Sequence, residues 1–217
     1  MPTRWLLAVV AATVWTAPVV GGNDRNPVGE RADYQVDRDR ARTSSMILGG
    51  SMVATVTRAL PDNTPPSYEV KIDYAFDIQW IGTRSGTEQE PIDAVYFTEG
   101  FLEQLRRDGY YESPQMKIRH LGFADARNMD GRLYQHCDKL LIYDIQQPAV
   151  SGLVRIAADL LAPGATLDQI ENLEILAHVQ YGVPVLGAAK LDASGDYDGM
   201  HIIAGGDYVA PAQAASF

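Results

Sequence analysis

The stretch Tyr68–Trp80, YEVKIDYAFDIQW, decides how the chain is read. Its even positions are apolar (Tyr68, Val70, Ile72, Tyr74, Phe76, Ile78, Trp80), while its odd positions are polar except for Ala75. Period-two alternation of this length is a long β-strand with one buried and one wet face. Upstream, PDNTPP over Pro61–Pro66 carries turn chemistry, and Met46–Ala59 is rich in β-branched and small residues. Together these segments predict a hairpin.

Working outward, GTRSGTEQEP over Gly82–Pro91 reads as a loop. Thr98 can cap a helix whose one face is Phe101, Leu102 and Leu105, and Gly109 can stop it. A second hairpin is expected over Met116–Ala126 and Leu133–Ile145, closed at Asn128-Met-Asp-Gly131. Val154–Leu160 fits a strand or a short helix, and Leu167–Asn172 a short helix feeding a strand from Leu173 to Tyr181. Val183–Leu191 and Met200–Ala204 read as further strands. The expected fold is α+β and β-rich, with antiparallel hairpins forming a sandwich-like or single-sheet core and a few short helices. The regular strand–helix alternation of a parallel doubly wound sheet is absent.

The N-terminus has a different character. Arg4 precedes an apolar run, Trp5–Trp15, followed by Pro18 and the small residues Gly21-Gly22. This is the pattern of a secretory signal over residues 1–22. An uncleaved anchor is the rival reading; the apolar run is short for a bilayer. Residues 23–43 are polar and charged and read as a flexible arm, 44–210 as one globular domain, and 211–217 as a frayed tail. Cys137 is the only cysteine, so no intramolecular disulfide forms and a disulfide-stapled scaffold is excluded. With no N-x-[ST] sequon either, the expectation is a prokaryotic exported protein, periplasmic, cell-surface or extracellular. The net charge of -10 and the lack of a basic stripe exclude nucleic acid as a partner.

Two constellations carry chemistry-bearing residues. In the second hairpin, a turn centred on Asn128–Gly131 places residues summing to about 260 opposite one another. His120 then lies near Leu140, Phe123 faces Cys137, His136 faces Ala124 and Asp138 faces Gly122. His120, His136 and Asp138 share parity, and two imidazoles with a carboxylate on one face make an open site for a metal such as zinc. Cys137 has the opposite parity on an apolar face and reads as a buried structural thiol. The second constellation is Asp192, Ser194, Asp196 and Asp198, oxygen side chains interleaved with glycines, as a calcium ion requires. Its frame is not that of an EF-hand, and Asp-Gly-rich segments between strands are usually turns.

No nucleophile elbow, HExxH, CxxC or phosphate-binding loop is present. The function expected from the sequence is therefore an exported binding or structural module of the envelope or extracellular space, with a protein or carbohydrate partner. The alternatives are a metal-dependent hydrolase using His120, His136 and Asp138, and a calcium-stabilised adhesive module.

Overall fold

The computed structural model describes residues 26–36, 47–128, 131–146, 152–162, 165–181 and 186–209. The expected signal segment, residues 1–22, and the expected frayed tail, 211–217, lie outside these residues. All strands join one antiparallel sheet: β1 (Arg31–Val36), β2 (Ile47–Leu60), β3 (Ser67–Ile78), β4 (Gly82–Asp93), β5 (Tyr110–Glu112), β6 (Lys117–Arg127), β7 (Leu133–Tyr143), β8 (Ile170–Tyr181), β9 (Leu186–Tyr197) and β10 (Met200–Val209). Their order is β4-β3-β2-β1-β10-β9-β8-β7-β6-β5. The described architecture is thus a single open sheet with two short helices, α1 (Glu99–Asp108) and α2 (Gly152–Leu161).

One face of the sheet holds the core. Cross-strand partners share a face, and the row Ile118–Ile142–Ile175–Ala193–Ala204 is buried throughout. Helix α2 lies on this face over β8, β9 and β10. It presents Val154, Ala157, Ala158 and Leu161, all buried and spaced for one helix face. The floor beneath it is made of small residues. A side chain at Gly206 would meet Leu160 Cδ1 at 3.0 Å, and Ala189, Ala193 and Ala204 are all buried. Helix α1 buries Phe101, Leu102 and Leu105 and ends at Gly109, whose φ of 72° only glycine adopts at no steric cost.

The sheet curls. Asn128, just past β6, donates from Nδ2 to the Tyr208 carbonyl on β10 at 2.9 Å, and the Tyr134 and Tyr208 ring centroids lie 6.2 Å apart. In a flat sheet β7 and β10 would stand about 14 Å apart.

Several expectations change here. Arg31–Val36 was expected in a flexible arm; it is β1, paired with both β2 and β10. Its charged residues Arg31 and Asp33 bond to each other on the wet side while Ala32, Tyr34 and Val36 are buried. The expected loop Gly82–Pro91 lies within β4, paired with β3 along its length. As an edge strand it needs no apolar face, and Glu88 and Glu90 turn toward the core side, opposite Ile72 and Val70. Inward-facing charge protects an open edge from pairing with other chains. Burial pushes the Glu90 carboxyl above its ordinary value. Trp80, expected on the buried face of β3, is 83% exposed because the strand ends at Ile78 and the chain turns at Trp80 with φ of 65°. Val154–Leu160 resolves as helix.

Candidate functional site

In the β6–β7 hairpin two bulges change the expected register. His120 pairs with Leu140 as expected, but Phe123 faces Asp138 and Ala124 faces Cys137. Gly122, at φ of 95°, and His136, at φ of 58°, absorb one extra residue on each strand. Adjacent residues Cys137 and Asp138 are both buried.

His120 and Asp138 do meet, beneath α1 and not on a wet face. Asp138, 1% exposed, accepts two hydrogen bonds from Arg106 of α1, Nε at 2.8 Å and Nη2 at 2.7 Å. Its Oδ1 also lies 2.9 Å from His120 Nε2, and the Gly122 N–H donates to His120 Nδ1 at 3.3 Å. Burial alone would push the Asp138 carboxyl up; the bonds and charges of Arg106 and His120 outweigh it and hold the carboxyl below its ordinary value. His136 is not part of this set. Its backbone N–H donates to Asp125, and its ring stacks on Phe123 with centroids 4.0 Å apart. The three-ligand metal site expected here is therefore not assembled: among the described residues no group of three or more His, Cys, Asp or Glu side chains is placed to hold a metal. Both nitrogens of His120 and both oxygens of Asp138 are engaged: Arg106 ties α1 to Asp138 on β7, and His120 on β6 bonds Asp138 and the Gly122 N–H. Cys137 is fully buried with Sγ 3.5 Å from the Tyr134 carbonyl, and burial pushes its thiol up, away from a nucleophilic thiolate.

The second constellation also rearranges. Asp192, Ser194 and Asp196 lie at alternate positions on strand β9, and only Asp198 sits in the tight Asp198-Gly199 turn to β10. Alternate residues of an extended strand are about 6.7 Å apart, so this segment does not wrap a cation as a loop would. Ser194 and Asp196 instead belong to the neighbourhood of a cavity of ≈ 470 Å³ at the ends of β7 to β10. Its polar lining is Asp144, Gln146, Asn172, Glu174, Ser194 and His201; Tyr143, Leu167, Ile170 and Leu173 are among its apolar residues.

Local backbone chemistry builds this site. The Asp198-Gly199 turn, with φ of 50° and 74°, sets His201 opposite Asp196. A bulge in β8, with Asn172 at φ of 52°, aims the Asn172 amide at the same carboxylate. Gly195 faces the bulge; a side chain there would come within 3.0 Å of Ile170 Cγ2 and 3.2 Å of the Glu171 carbonyl. Asp196 accepts from Asn172 Nδ2 at 2.8 Å, and its other oxygen lies 2.8 Å from His201 Nδ1. These two bonds, Asn172 first, hold its carboxyl below the ordinary value. An ionised Asp196 can only accept, so His201 donates to it from Nδ1, which leaves Nε2 facing away from this bond. Asp144 is neutralised by Lys117 at 2.7 Å and also accepts from Gln146 Nε2 at 3.0 Å.

Asn172 and His201 escaped the sequence reading. For His201 a signal existed: closing a hairpin on Asp198-Gly199 places residues 196 and 201 opposite each other. Asn172 had none, because its position depends on a bulge. No family model, no curated protein and no solved structure matches the chain. Among the described residues no helix is long and apolar enough to cross a membrane.

Proposed function

We propose that the protein is an exported binding module that receives a small ligand in the cavity at the ends of β7 to β10. The observation that carries this reading is the cavity itself: ≈ 470 Å³, with Asp144, Gln146, Asn172, Glu174, Ser194 and His201 converging on it beside an aromatic and aliphatic wall. That volume lies in the range of ligand sites generally, and the polar lining suits a polar ligand. The N-terminal signal pattern supports export. The spent state of the Arg106–Asp138–His120 cluster supports binding over catalysis, since those acid and base groups are bonded to one another beneath a helix.

The test is a thermal-shift and saturation-transfer NMR screen of the chain from Asn23 onward against neutral sugars, amino acids, amines and dicarboxylates. At least one class is expected to raise the melting temperature, since a ligand that binds only the folded state stabilises it. The effect should vanish in Ser194→Trp, which fills the cavity. No shift with any class, or a shift that persists in Ser194→Trp, contradicts the proposal. An alkaline-phosphatase fusion to residues 1–22 tests export: activity is expected outside the cytoplasm, and its absence there removes that part of the reading.

A further inference from the structure

Resting on the binding reading just given, we propose that the cavity's ligand is a small organic cation, a primary amine on a short apolar stem. The reason lies in the charge and the hydrogen-bonding groups the site leaves open. Asn172 gives one amide N–H to Asp196, and Gln146 one to Asp144. Each amide keeps for a ligand its carbonyl oxygen, an acceptor, and one further N–H. His201 donates from Nδ1 to Asp196 and keeps Nε2 unengaged by that bond. Glu174 makes no hydrogen bond or ion pair with another described residue and supplies a carboxylate. Ser194 is the one lining side chain besides Tyr143 that retains a hydroxyl donor.

None of the lining residues is Lys or Arg. With Asp144 balanced by Lys117, the charge left at the site is that of Glu174 and, behind His201, of Asp196. An anion would find amide and hydroxyl donors but meet the like charge of Glu174 with no Lys or Arg in the lining. A neutral polyol would find acceptors but forfeit the charge. An ammonium group brings donors, no acceptor, and the opposite charge, while Tyr143, Leu167 and Leu173 suit its hydrocarbon stem. The net charge of -10 on the whole chain favours approach of the same class of ligand.

The experiment compares three probes of equal length by isothermal titration at low ionic strength: 1,5-diaminopentane, pentane-1,5-diol and glutarate. The diamine is expected to bind about tenfold or more tightly than the diol, with no heat from glutarate. Glu174→Gln, a change at an exposed side chain that leaves the melting temperature in place, should weaken the diamine about fivefold. Equal or tighter binding of the diol or of glutarate, indifference to Glu174→Gln, or no binding of the diamine at millimolar concentration each overturns the amine assignment. The cavity reading falls separately, when no class in the wider screen binds or when Ser194→Trp leaves binding intact.

Discussion

The β6–β7 hairpin and the ends of β8 to β10 each bring a histidine to an aspartate, and they use the pair in opposite ways. Under α1, Asp138 is buried and meets His120 through Nε2, while the other ring nitrogen accepts from Gly122. Beside the cavity, Asp196 is partly exposed and meets His201 through Nδ1, which leaves Nε2 open. The same two residue types thus build a clamp in one place and a receptive surface in the other. Burial and the count of open atoms distinguish them; residue identity does not.

The largest expected effect breaks the clamp. Asp138→Ala removes the buried carboxylate that Arg106 and His120 share and should cost about 3 kcal/mol in urea unfolding. A cost within experimental error would show that α1 is held by Phe101, Leu102 and Leu105 alone. Next, Gly195→Val overpacks the site opposite the β8 bulge and should cost about 2 kcal/mol. It should also displace Asn172 and so weaken ligand binding, which separates it from a change that only destabilises.

Acid sharpens the contrast. The Asp138 carboxyl is lowered in the folded state from an ordinary value of 3.8. Its stabilising contribution is therefore complete above that ordinary value and is lost as pH falls through the lowered folded one. Glu90 and Asp93, raised by burial, titrate in the opposite sense. The informative quantity is accordingly the difference from Asp138→Asn: the native chain should lose melting temperature more steeply below about pH 4 than the variant does. Parallel curves would contradict the assignment. Smaller still, Asp196→Ala should change stability by less than about 1 kcal/mol, because its partners reach solvent. It should nonetheless abolish binding of the diamine, by releasing His201 and Asn172 together.

How much of this the sequence disclosed follows from what each element depends on. Strand β3 was legible because its alternation is written in one segment and its buried positions Val70, Ile72, Phe76 and Ile78 match it. The α1 C-terminus was legible because Gly109 acts locally; Thr98 does stand at the N-cap position, but its hydroxyl donates back to the Val95 carbonyl and makes no capping bond. Strand β4 was not, since an edge strand protected by Glu88 and Glu90 shows the polarity of a loop. Strand β1 was hidden in a charged neighbourhood whose outward residues mask Tyr34 and Val36. For the sites, the pairing of His120 with Asp138 was foreseen as a shared face, yet its covering by Arg106 of α1 requires tertiary structure. Bulges defeated the rest: Gly122 and His136 shift the hairpin by one residue, and Asn172 reaches Asp196 only because β8 departs from regular pairing.

The most direct measurement is long-range 1H–15N NMR of the histidine rings during titration with 1,5-diaminopentane. His201 should report a protonated Nδ1 before ligand, its Nε2 resonance should move on titration together with the Asn172 and Ser194 amides, and His120 should stay in place. Movement at His120 or His136 with His201 unchanged would place the ligand on the hairpin and contradict the account.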